Sequence, residues 1–236
     1  KKKFPGIQKS RKLIVRMTGI SEPDVMKKLG KDFFDAPFDF GIYPSAGEVA
    51  IRILVDSPAV LRDLKRKIAT RLKDRIYAWD ETPLVAVIGK ILEKKKKTLA
   101  VAESCTGGLL ASRITGSPGA SVFFTGATVA YHSCVKMKLG VPEKLIREHG
   151  EVSAQVALQL AKCVRTRMES SYGIGITGIA GPGGGTSRKP VGLVYIGLAL
   201  PDGKAKVWRH VFWGERRQVQ DKAAVKALEY LWRTIR

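Results

Sequence analysis

The sequence has few cysteines, few histidines and no long apolar run. Three cysteines in 236 residues, Cys105, Cys134 and Cys163, are too few and too scattered for a disulfide framework. They fit a reducing compartment, and a cytoplasmic location is expected. The three histidines, His132, His149 and His210, stand far apart, and no C-x-x-C or H-E-x-x-H occurs. No metal site is expected on those grounds. No stretch approaches the ~20 apolar residues of a membrane span. The longest, Thr82 to Leu92, soon meets the lysine run Lys94–Lys97, so no membrane partner is expected. Acidic residues are scarce too: 21 against 42 basic ones, a net charge of +21. Residues 1–97 hold 23 basic and 12 acidic groups and the remainder 19 and 9, so the excess is not a tail. A uniform excess suits a solvated surface, and it equally suits attraction for phosphates or nucleic acid. The sequence opens on Lys1 rather than methionine, as a piece of a longer chain would.

What is present suffices for a core. A hydrophobic share of 44% beside 27% charged residues is ordinary for globular proteins, and the length suits one large domain or two small ones. Residues 1–12 form a basic leader. Arg11–Met17 reads as a strand, and Ser21 and Pro23 open a helix to Leu29. Phe38–Tyr43 and Glu48–Val55 read as strands around a Pro-Ser-Ala-Gly turn. From Ser57-Pro58, the residues Val60, Leu61, Leu64, Ile68 and Leu72 recur at helical spacing. Ile76–Trp79 returns as a strand. The result is a small α+β module, β-α-β-β-α-β, over residues 1–80. Its aromatic residues Phe33, Phe34, Phe38, Phe40 and Tyr43 are expected to pack its own core.

The turn Asp80–Pro83 is the expected boundary, with a second domain over 81–236. There, helix signals at 83–95, 106–114, from Ser153 and 215–235 alternate with strand signals at 98–102, 122–131 and 173–177. A hairpin follows, 192–200 and 205–213, around Pro201-Asp202-Gly203. This pattern predicts an α/β fold, a three-layer α/β/α domain on a mixed sheet.

Three stretches carry chemistry. In Ala102–Gly108 (AESCTGG) a strand ends and a helix begins, which puts Ser104 at a strand's carboxyl end beside helix-start N–H groups. Those donors suit a phosphate or a developing oxyanion, although Ser104 and Thr106 would also serve simply as helix caps. Thr177–Thr186 (TGIAGPGGGT) follows an apolar strand and is too rich in glycine for an ordinary connection. It fits neither a Walker loop nor a dinucleotide fingerprint. It presents N–H groups to an anion or is a plain surface turn. Tyr131–Lys138 (YHSCVKMK) offers lysines that burial would turn into bases, or solvated lysines on a helix.

Taken in order, AESCTGG, SPGAS (Ser117–Ser121), VAYxxxxK (Val129–Lys136), LGVP (Leu139–Pro142), HGEVS (His149–Ser153), TGIAGPGGG (Thr177–Gly185) and KPVGLVYI (Lys189–Ile196) closely resemble the C-terminal, PncC-type domain of the CinA family. These are nicotinamide mononucleotide deamidases. The resemblance covers about residues 82–236. Residues 1–80 resemble, by order and pattern only, the middle module of full-length CinA proteins, sometimes described as KH-like. The resemblance implies metal-free hydrolysis of the carboxamide of nicotinamide mononucleotide to nicotinate mononucleotide and ammonia. No cofactor is implied, and a homo-oligomer is. It puts the nucleophile on Ser104, with Tyr131 and Lys136 assisting and Lys136 neutral when desolvated. It places Cys105, Thr106, Gly107, Gly119, Ser121, Thr177, Gly178, Ala180, Gly181 and Arg216 around the substrate.

The chain departs from the family pattern in places. His132-Ser133-Cys134 stands where Ser-Asn-Glu is frequent. The segment after Lys136 is a residue short, which makes Lys138 a rival base. Gln220 replaces a frequent arginine, and Cys105 offers a thiol beside the serine. Two other readings compete: a nucleic-acid or ribonucleoprotein binding module, for which residues 1–98 lack a G-x-x-G clamp, and a catalytically silent scaffold.

Overall fold

The structure, a computed structural model, describes residues 11–34 and 38–236. Most of the basic leader lies outside them. The chain divides into two compact units, residues 1–83 and 84–236.

The first unit runs β1 (Arg11–Thr18), α1 (Glu22–Leu29), α2 (Lys31–Phe34), β2 (Asp39–Ser45), β3 (Glu48–Val55), α3 (Pro58–Leu72) and β4 (Ile76–Ala78). Its four strands are all antiparallel in the order β2-β3-β1-β4, a split β-α-β arrangement. Alternation along β3 buries Val49, Ile51, Ile53 and Val55. Val25 and Leu29 of α1 and Leu64, Ile68 and Leu72 of α3 cover that face. Both helices start as the sequence predicts. Ser21 accepts from the Asp24 N–H and Ser57 from the Ala59 N–H, each with a proline in the first turn. Phe33 and Phe38 join the core. Phe40 and Tyr43 do not: both are exposed, and Tyr43 lies beneath the Arg52 guanidinium at 4.8 Å. On the opposite face of the sheet, Glu81 pairs with Lys12 at 2.9 Å and Arg52 at 3.6 Å.

The second unit runs α4 (Leu84–Lys94), β5 (Leu99–Glu103), α5 (Leu109–Thr115), β6 (Phe124–Val129), α6 (Ser133–Leu139), α7 (Glu143–His149), α8 (Ala154–Arg167), β7 (Tyr172–Gly178), β8 (Leu193–Ala199), β9 (Ala205–Val211) and α9 (Arg216–Ile235). The sheet order is β6-β5-β7-β8-β9. β6, β5 and β7 are parallel, and β8 and β9 return antiparallel as the hairpin. The domain is therefore the mixed-sheet α/β/α sandwich that the pattern predicts.

Glycine decides how closely one layer lies. Gly173, Gly175 and Gly197 share a face, with Gly175 paired to Gly197. A Cβ at Gly175 or at Gly197 would sit 2.4 Å from the Ala157 carbonyl oxygen, so α8 rests directly on sheet backbone there. α4, α5 and α9 form the opposite layer.

Three helices depart from the sequence reading, the short α2 of the first unit among them. α5 starts at Leu109, three residues later than expected, because Gly107 and Gly108 adopt φ of +62° and +97° and extend the turn. α7 is a further helix, with Pro142 as its N-cap.

Candidate active site

The three parallel strands end on one edge of the sheet. Ser104 follows β5, Tyr131 follows β6, and Gly178 closes β7. Ligands of α/β sheets gather at such carboxyl ends. Strand alternation then sorts the residues of this edge onto two faces.

On the α8 face, Ala100 and Ala102 pack with Leu139, Val156, Leu160 and Val164. Ser104 continues that row. Its N–H still donates to the Ile176 carbonyl at 3.0 Å, so the ladder holds through this residue. Ser104 is buried, and its hydroxyl makes no hydrogen bond among the described residues. Lys136, on α6 behind this row, is fully buried. Its ammonium donates to the Tyr131 carbonyl at 2.9 Å and to Glu151 Oε2 at 2.8 Å. Lys138, two residues on, is exposed, so the buried amine is that of Lys136.

Glu151 was not singled out by sequence. Fifteen residues separate it from Lys136, and no spacing rule links the two. Ser133 donates to the other carboxylate oxygen, Oε1. The buried Thr177 hydroxyl donates to the Glu151 carbonyl at 2.8 Å, which makes Thr177 a brace for this turn. Burial pushes the Glu151 carboxyl up. The Lys136 and Ser133 hydrogen bonds and the Lys136 charge more than offset that, so the group sits below its ordinary value. The amine on which a neutral lysine was expected thus faces the Glu151 carboxylate at 2.8 Å.

On the α9 face, Glu103 is wholly buried, and its carboxylate accepts from the N–H groups of Gly108, Leu110 and Ala111 at 3.1, 3.0 and 2.7 Å. The cap of α5 is thus Glu103, reached backwards from the strand, and neither Ser104 nor Thr106. This frees Ser104 from a capping role. Burial lifts the Cys105 thiol to about 12, so it stays protonated near neutral pH and is a poor nucleophile. Gln220 Nε2 donates to the Cys105 carbonyl at 2.8 Å, holding the turn from α9. The buried Thr106 hydroxyl has no partner among the described residues.

Tyr131 is exposed, and its phenol accepts from Arg216 Nη2 at 2.9 Å, while Arg216 Nη1 donates to the Gly181 carbonyl at 2.8 Å. Tyr131 therefore holds Lys136 through its carbonyl, and its ring belongs to the arginine. A groove of about 780 Å³ opens here, lined by Ala180, Gly181, Pro182, Val191, Arg216 and Gln220 among others.

Gly119 and Ser121 are not brought to this edge. They lie in the turn before β6, and Phe123 accepts from the Leu99 N–H at the opposite end of β5. One strand of five residues, ~16 Å, separates the two ends. Within one chain, that turn does not line the groove.

A mixed-sheet α/β/α domain thus gathers, at the carboxyl edge of its parallel strands, a serine hydroxyl with no hydrogen bond among the described residues, a buried lysine and a glycine-rich loop. The chain belongs to the CinA family: residues 81–235 match the CinA C-terminal domain. A CinA-like protein of Thermosynechococcus vestitus is 40% identical, the match covering 94% of this chain and 56% of that protein. One of Syntrophus aciditrophicus is 39% identical, covering 92% of this chain and 54% of that protein. The chain therefore spans little more than half the length of these relatives. A crystal structure of a CinA superfamily protein from Escherichia coli superposes with a TM-score of 0.62 at 30% identity, covering 64% of this chain and 88% of that one. The competence/damage inducible protein CihA of Agrobacterium tumefaciens gives 0.60 at 30% identity, covering 64% of this chain and 95% of that one.

Proposed function

We propose that the domain hydrolyses the carboxamide of nicotinamide mononucleotide to nicotinate mononucleotide and ammonia. The observation that carries this reading is a buried Ser104 hydroxyl left without a hydrogen bond among the described residues, at the sheet edge where the fully buried Lys136 amine bonds the Tyr131 carbonyl. Ser104 Oγ attacks the amide carbon, and its proton passes to Lys136 Nζ once that nitrogen holds a free electron pair. The oxyanion that forms needs donors. The Thr106 N–H has no acceptor among the described residues, and with that of Cys105 it flanks the nucleophile. Each such donor is worth ~3 kcal/mol in known oxyanion holes. Lys136 returns the proton to the leaving nitrogen, ammonia departs, and water cleaves the remaining ester. Arg216 and the loop after Gly178 supply the charged and backbone donors that a nucleotide phosphate requires.

The test is ammonia release from nicotinamide mononucleotide by the purified chain. Wild type is expected to release it and Ser104→Ala is not. Silence from wild type, or undiminished release by the variant, would refute the reading.

A further inference from the structure

The mechanism requires an amine with a free electron pair, yet the fold presents Lys136 with a carboxylate at 2.8 Å. That carboxylate is held on three sides. Ser133 bonds its second oxygen, Lys136 bonds the first, and Thr177 fixes the backbone beneath it. Half of its side-chain surface still meets solvent, whereas none of the lysine's does. The amine thus has no polar route outward except through Tyr131 O and Glu151.

We propose that Glu151 is the positioning residue of Lys136: it aims the amine along the sheet edge and sets the pH at which that amine becomes a free base. This rests on reading Lys136 as the base of the amidase. An anion facing a cation favours the charged form, by one to three pH units at such distances. The partial exposure of Glu151 screens the attraction toward the low end. Other charges bear on the pair. His132 of α6 acts on Glu151. Lys189, from the segment before β8, donates to the His149 carbonyl and stands where a Cβ at Gly150 would be 2.9 Å away. Across the edge stand Glu103, Cys105 and Arg216. Among the described residues, Glu151 alone lies within ion-pair distance of the Lys136 nitrogen. Glutamine keeps the length and one acceptor oxygen while removing the charge, so Glu151→Gln separates charge from shape.

The experiment has two readouts on wild type, Glu151→Gln and Glu151→Asp. The first is the NMR titration of the Lys136 ε-carbon, which needs no turnover. The second is the pH profile of kcat/KM for ammonia release. In Glu151→Gln both the titration midpoint and the acid limb are expected to move to lower pH by about one unit, with Glu151→Asp in between. A midpoint identical to wild type, or an acid limb that moves to higher pH, would overturn the proposal. Should wild type release no ammonia, the amidase reading falls, and the titration alone decides the pairing. Should Glu151→Gln fail to fold, Ser133→Ala loosens the same carboxylate. It is then expected to shift the midpoint in the same direction by less, and an unmoved midpoint would again overturn the proposal.

Discussion

The two faces of the sheet edge do different work with the same kinds of residue. Each carries one glutamate, Glu103 at the end of β5 and Glu151 in the turn before α8. On the α9 face, Glu103 is sealed off and its charge meets only backbone N–H groups. On the α8 face, Glu151 is half open to solvent and meets an ammonium. The first arrangement fixes a loop, because N–H dipoles at short range satisfy a carboxylate without any proton to exchange. The second joins two groups that can each gain or lose a proton, so it can respond to pH and to a ligand. On the proposed reading, shape is built on the α9 face and proton chemistry on the α8 face, where Ser104 continues the row of Ala100 and Ala102.

The largest expected effect is on the α8 face. Ser104→Ala is expected to lower ammonia release about 10⁴-fold or more with an unchanged melting curve, measured by coupled assay and calorimetry. Loss of fold in this variant would erase the distinction between the faces. Next comes Glu103→Gln, on the α9 face. It leaves buried N–H groups facing an amide that offers them a single acceptor oxygen, and it is expected to lower stability by about 3 kcal/mol in denaturant unfolding. A stability within 0.5 kcal/mol of wild type (the usual scatter for surface substitutions) would contradict the capping role. Arg216→Ala removes donors from the groove and is expected to raise KM about tenfold with little change in kcat. A fall in kcat alone would move Arg216 from binding to chemistry. The smallest effect belongs to Cys105→Ala. Its thiol, held up at about 12 by burial, is protonated at pH 8, so turnover is expected to stay within about twofold of wild type. In wild type, iodoacetamide is expected to label the exposed Cys134 and spare Cys105.

Much of this was legible in the sequence because it is local. Periodicity gave β3 and α3, cap chemistry gave Ser21, Ser57 and Ser153, and the turn Pro201-Asp202-Gly203 gave the β8–β9 hairpin. The alternation that sorts Ser104 from Glu103 also follows from period two. The start of α5 was misplaced because Glu103 caps it from the preceding strand, outside the usual spacing of a cap. The Glu151–Lys136 pair was missed because it closes through space, across α6 and α7. Gly119 and Ser121 were placed by resemblance, whereas strand order puts a turn that precedes β6 at the amino end of the parallel strands, opposite the edge that carries Ser104.

One measurement reaches the central claim without relying on rates. The chain is quenched in acid during turnover of nicotinamide mononucleotide, digested, and mapped by mass spectrometry. The account predicts the mass of the nicotinoyl nucleotide, bound as an ester, on the peptide carrying Ser104 and lost in Ser104→Ala. The same mass on Cys105, or on any peptide of the Ser104→Ala protein, would contradict it.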